Sequence, residues 1–237
     1  MPPTFNPAAL AFFRGLARNN AKPWFEAHRA DYEAQVVAPM RALIEELDVR
    51  LAGFAPEITG DPKRSLFRIY RDVRFSKDKS PYKTHAACWF WHHDADPRVG
   101  DKADAGGAGY YFHLQPGKSF VGGGMWMPPR PILDKLREAI AADLKGFERV
   151  VTDRGFVRRF GKFDDESKLK RMPRGYDESH AAARWLKFQS FVTGRPMSDR
   201  ETTSPRLPAL LAADFERMLP LVRWLNGALG HPAVKHR

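Results

Sequence analysis

Two stretches decide the fold: residues 86–91, Ala86-Ala87-Cys88-Trp89-Phe90-Trp91, and residues 110–114, Tyr110-Tyr111-Phe112-His113-Leu114. Both are short, aromatic and free of helical periodicity, which marks them as strands. Leu66 to Tyr70 precedes them and Ser119 to Val121 follows, with the same character. Four such runs in succession predict an antiparallel meander. Between the second and third lies the polar, Gly/Asp-rich segment 92–108, which is expected to form a long mobile hairpin loop.

Outward from this block the period becomes helical. Asn6-Pro7 is a helix start, and Leu10, Phe13 and Leu16 share the face that follows it. A second start at Asn20 to Pro23 leads to Trp24, His28, Tyr32 and Val36 at helical spacing. Pro39 is expected to kink or divide this helix. Met40, Leu43, Ile44, Leu47 and Leu51 then form an apolar stripe that ends at Gly53.

Beyond Pro128-Pro129, Ile132, Leu133, Leu136 and Ile140 define a further helix. Short helices are expected near 147–152 and 178–186, and a strand over 188–192. A last helix carries Leu207, Leu211, Phe215, Met218, Val222, Leu225 and Leu229. Helices, then strands, then helices predict an α+β fold, an antiparallel meander with N-terminal and C-terminal helices packed on one face. No linker or repeat divides the chain. One domain is therefore expected over 1–237, with its core over about 8–229 and a frayed tail at 231–237.

The chain holds 237 residues, 43% of them hydrophobic, enough for a sizeable core. No run approaches the roughly 20 apolar residues of a membrane helix, and Arg14 interrupts the apolar run at 8–13, so neither membrane span nor signal peptide is read. Cys88 is the one cysteine. That excludes an internal disulfide and a Cys-based zinc knuckle, and suits a reducing, cytoplasmic setting.

The formal charge is +11, and it is localised. Residues 63–83 hold eight Lys/Arg against two Asp, and residues 154–174 hold eight against three acids. Such concentration points to an anionic partner. The denser segment is Arg71-Asp72-Val73-Arg74-Phe75-Ser76-Lys77-Asp78-Lys79-Ser80-Pro81-Tyr82-Lys83, where five cations alternate with two aromatics and two Asp. Arginine offers a planar fork to phosphate or carboxylate and lysine a point charge, so the segment reads as an anion-binding loop. Its bland counterpart is a salt-bridged surface turn.

Tyr111 and His113 share one strand face and can bind a ligand or pass protons, although a strand histidine is commonly just hydrogen-bonded in place. Gly122-Gly123-Gly124 leads to Trp126 and reads as a tight strand end. His92-His93-Asp94-x-Asp96 lacks the spacing of a metal site, and Gly117-Lys118-Ser119 lacks the rest of a P-loop. Neither a metal nor a cofactor is expected, and no catalytic residue is assigned.

The chain also resembles the bacterial and fungal family called domain of unknown function 2461. The resemblance rests on Phe12-Phe13, Asn19-Asn20, Trp24-Phe25 and Tyr32-Glu33, on Arg71-Asp72 and the run Arg74 to Lys79 with Pro81-Tyr82-Lys83, and on Gly109 to His113 and Gly123 to Trp126. It spans about 10–229. It implies no particular activity and carries over no catalytic residue.

Two functions follow as expectations. The first is a site for a small anionic or phosphorylated ligand, formed by Arg71, Arg74, Lys77, Lys79 and Lys83, with Tyr82, Tyr111, His113 and Trp126 as walls. The alternative is a nucleic-acid-binding module that uses both basic blocks, 63–83 and 154–174. The sequence sets no oligomeric state.

Overall fold

The computed structural model of the chain describes residues 4–74, 77–95 and 106–234. The Asn6 side chain accepts from the Ala8 N–H at 2.8 Å, and Pro7 opens α1, Pro7–Arg18. α2, Lys22–Ala27, and α3, Arg29–Tyr32, follow. Pro39 has no N–H to donate and its ring crowds the turn before it. The chain accommodates this with a π turn over Glu33–Val37, where the Ala38 N–H reaches back five residues to the Glu33 carbonyl. α4, Ala38–Ala52, resumes beyond, with its stripe from Met40 to Leu51 buried.

Five strands form one antiparallel sheet in chain order: β1 Ile58–Thr59, β2 Ala86–His92, β3 Gly109–Leu114, β4 Ser119–Met125 and β5 Phe191–Met197. The fold is therefore α+β, a meander with helices before and after it. The strand expected over Leu66–Tyr70 does not form. That stretch touches β2 at the single bridge Leu66–Cys88 and then leaves the sheet. From Ile69 it pairs with its own return, the Arg71 N–H donating to the Pro81 carbonyl and the Lys83 N–H to the Ile69 carbonyl.

The last strand also departs from expectation, beginning at 191 and not 188. The Phe188 N–H closes onto Trp185, at the end of α8, Ala183–Leu186. The N–H groups of Gln189 and Ser190 are both taken by the Asp165 carboxylate, at 2.6 and 3.0 Å. With these donors spent, pairing with β4 starts at Phe191.

After β4 come α5 Arg130–Ala142, α6 Leu144–Val151 and α7 Arg154–Phe160. α9, Asp199–Thr202, and α10, Leu207–Ala228, close the chain. Alternation along the strands sorts the side chains. Phe90, Tyr110 and Phe112 point to the helical side, where Tyr110 stacks on Phe215 of α10 at 4.4 Å and Phe112 meets Phe5. Trp89, Tyr111, Gly122 and Gly194 lie in one cross-strand row on the other side.

Two ion-pair groups fasten α10. Buried Asp214 accepts from Arg159 of α7 at 2.6 Å and from Arg195 of β5 at 2.8 Å. Glu57, also buried, pairs with Arg223 at 2.6 Å. The segment after Gly230, expected to fray, is held in the part described: the His231 N–H donates to the Asn226 carbonyl and the Pro232 carbonyl accepts from His92 Nε2. Residues 235–237, and residues 96–105 of the expected polar loop, fall outside the described residues. Among the described residues, no helix is long and apolar enough to cross a membrane.

Candidate functional site

The basic segment is the tip of the hairpin that leads into β2. Its base is fixed by Tyr82, whose ring is buried and stacks on Phe25 at 4.3 Å. Asn20 clamps the Tyr82 backbone on both sides, donating to its carbonyl and accepting its N–H. Tyr82 is thus an anchor of the core, not a wall open to a ligand.

Most cations of the tip are already engaged within it. Arg71 pairs with Asp78, and Arg74 with Asp72 at 2.7 Å. Lys79 donates to the Val73 carbonyl at 2.9 Å, and Lys77 stands exposed. Arg71 and the Ser80 hydroxyl and N–H beside Asp78 hold its carboxyl well below the usual carboxylate range. Asp72 and Asp78 therefore consume much of the tip's charge. Arg71, Arg74, Lys77 and Lys79 are not in the lining of the cavity formed over the sheet.

That cavity, of about 640 Å³, lies over the sheet on the side of Trp89 and Tyr111, with Pro128, Pro129 and, in α5, Ile132 also in its lining. Its floor is bare backbone, because Gly109, Gly122, Gly124 and Gly194 occupy neighbouring positions on β3, β4 and β5. At Gly124 the residue type is dictated by the chain: φ is 119°, and a Cβ there would collide with the Phe191 carbonyl. Gly122 is less constrained, with the Thr193 carbonyl 3.1 Å from an added Cβ.

Aromatic side chains wall this floor. Trp89 and Tyr111 stand on one side, Phe120 beside them, and Phe67 over the edge of β2. Trp126, with 61% of its surface exposed, forms the rim. It is set there by an irregular backbone. Gly124 precedes it, Met127 follows with φ at 43°, and the Met127 N–H is tied to Ser190 Oγ at 3.0 Å. A non-glycine residue at positive φ is a strained one, and here it serves to lift an indole out of the sheet.

One end of the cavity is polar. Lys83 reaches it from the base of the hairpin, with Nζ donating to the Arg68 carbonyl at 2.8 Å and lying 5.7 Å from the Phe67 ring centre. No carboxylate among the described residues pairs with it. Burial, and then the nearby Arg68, lower its pKa. His85 is next along the wall. Its ring lies 4.2 Å from that of His113, which in turn stacks on Phe120 at 4.8 Å. Burial pushes the His85 pKa down to about 4, reinforced by His113, Lys83 and Arg71.

His113 is hydrogen-bonded at both nitrogens, to the Tyr111 hydroxyl at 3.2 Å and to Gln115 Oε1 at 3.0 Å. A neutral ring that accepts from Tyr111 at Nδ1 and donates to Gln115 from Nε2 satisfies all three groups. Burial lowers the His113 pKa and raises that of Tyr111, so both are uncharged at neutral pH.

Of the nine side chains expected at the site, Lys83, Tyr111 and Trp126 line this cavity, and His113 borders it through Tyr111, His85 and Phe120. His85, Trp89, Phe67 and Phe120 were not anticipated. Alternation was the available signal: 85, 87 and 89 share a face with 111 and 113 once the strands are paired. Elsewhere, His92, His93 and Asp94 bring donor atoms within 4.8 Å of one another. Both nitrogens of His92 are nonetheless engaged, with the Pro232 carbonyl and the Asp94 N–H.

These features define an α+β protein with an aromatic, glycine-floored cavity on one face of an antiparallel sheet. The chain belongs to the DUF2461 family of conserved hypothetical proteins, which matches residues 8–224. No curated protein and no solved structure matches it.

Proposed function

We propose that this protein binds a small, flat, largely apolar molecule carrying one acidic group, and that the site is the sheet-face cavity. The observation that carries the reading is Lys83. A partly buried ammonium with only a carbonyl and a ring for company is an unusual expense in an apolar wall, and an acidic ligand supplies its missing partner. Flatness follows from the bare floor and the ring-lined sides. The acid belongs at the Lys83 end, with the apolar body over Gly122 and beneath Trp126.

The expected anionic ligand is kept in this proposal, but its place moves from the tip of the hairpin to the hairpin's base. The second reading, stacking of single-stranded nucleic acid, draws on the 38% exposure of Phe120 and the 61% exposure of Trp126. Against it stand the internal pairs of the basic tip.

A thermal-shift comparison separates the two. The probes are 2-naphthoate, 2-naphthyl phosphate, 2-naphthalenesulfonate, neutral 2-naphthamide and a single-stranded oligonucleotide. Ligand at ten times its Kd stabilises by about 1.4 kcal/mol. For a chain of this size that raises Tm by about 3–6 °C. The acids are expected to give this shift and the amide a much smaller one. A shift with the oligonucleotide alone, collapsing as salt rises, favours the second reading and overturns the first.

A further inference from the structure

We infer that His85 is a ligand-contacting residue and that the cavity takes up its acid together with a proton, which His85 holds. This rests on the ligand reading above and specifies its chemistry. The bound species is an oxyanion held between two donors, Lys83 Nζ and a protonated imidazole.

Three observations carry it. The first is that no hydrogen bond from a described residue reaches either ring nitrogen of His85, whereas both nitrogens of His113 are used. His85 lines the cavity and is half-buried. The second is that the ring is fixed in place, packed at 4.2 Å against His113, which is itself held by Phe120, Tyr111 and Gln115.

The third is the charge around it. The groups that bear on His85 are Lys83 from its own segment, Arg71 from the hairpin and His113 from β3. The Tyr111 hydroxyl, also on β3, is committed to His113. None is a carboxylate, and the charge of Arg71 is directed to Asp78. Burial and these neighbours favour the neutral ring. An oxyanion reverses the local field, and protonation then becomes favourable. The proton comes from solvent or from the acid itself when it enters in neutral form. It ends on a His85 ring nitrogen, the electron pair stays on the ligand oxygen, and no other bond changes.

Calorimetry on the full chain tests this. 2-Naphthoate and 2-naphthalenesulfonate are titrated at pH 6 in two buffers of different ionisation enthalpy. Neither probe titrates near that pH, so any proton taken up belongs to the protein. Wild type is expected to gain roughly 0.5–1 proton per ligand and to bind about 3–10-fold more tightly at pH 5.5 than at pH 7.5. His85→Gln, and His85→Asn as a second variant, are expected to bind without proton uptake and with an affinity independent of pH. His28→Gln, at the end of α2 and outside the cavity lining, is expected to retain the uptake. Binding by wild type with no proton gained, or uptake that survives both His85 variants, overturns the inference and leaves the ligand reading standing. Absence of binding by either probe overturns both.

Discussion

At the scale of the residue, Lys83 and His85 are the informative groups, and both owe their character to missing partners. A charge-assisted hydrogen bond contributes about 1.5–3 kcal/mol, or roughly 10–100-fold in affinity. Lys83→Met keeps the apolar stem and removes the charge, so it should weaken 2-naphthoate by that factor and leave 2-naphthamide nearly unaffected. Calorimetry with both probes reads the contrast, and equal losses would assign Lys83 a packing role. His85 makes a prediction about pH as well. Its pKa is about 4 in the fold against an ordinary value of 6.5, so between those values the unfolded chain binds more protons. The stability tied to the neutral ring is fully present above pH 6.5 and falls as pH drops toward 4. In the absence of ligand, His85→Asn should therefore lose less Tm than wild type between pH 7.5 and pH 5. A parallel loss in both proteins would show that the ring is not held neutral.

At the scale of the element, the sequence spoke clearly where one local rule acted alone. Asn6-Pro7, the apolar stripe from Met40 to Leu51 and the aromatic strands at Ala86 and Tyr110 all form as read. It misled where a distant side chain took the backbone donors. Asp165 diverts Gln189 and Ser190 from β5, and nothing in the local pattern announces it. α7 was missed for a simpler reason. It lies in the basic block 154–174, which is read for its charge, yet Asp153 caps the start, its Oδ1 accepting the Phe156 N–H at 2.8 Å, and Phe156 is buried. The ion pairs of α10 were equally hidden, since Arg159 and Arg195 meet Asp214 from 55 and 19 residues away. Removing that carboxylate strands two arginines. Asp214→Ala should destabilise by about 3 kcal/mol, near the lower end for breaking a buried pair, because Arg159 is 41% exposed and can turn to water. Urea unfolding measures it, and a loss below about 1 kcal/mol would show that the pairs matter little.

At the scale of the whole molecule, part of the site was legible and its location was not. Strand alternation placed Tyr111 and His113 together, and the run of glycines before Trp126 marked an unusual strand end. Charge density drew attention to the tip of the hairpin, although Asp72 and Asp78 there answer Arg74 and Arg71. A cavity made by four strands in register, with its floor defined by absent side chains, leaves no contiguous trace in the chain. The central claim is that ligand sits on the sheet and not on the tip. The direct measurement is the affinity of 2-naphthoate, by calorimetry at one pH and salt, across four variants. Gly122→Leu, which fills the floor, and Lys83→Met should each weaken binding at least about tenfold, while Arg74→Ala and Lys77→Ala leave it within about twofold. Binding that survives Gly122→Leu and Lys83→Met but is lost in Arg74→Ala or Lys77→Ala would contradict the account.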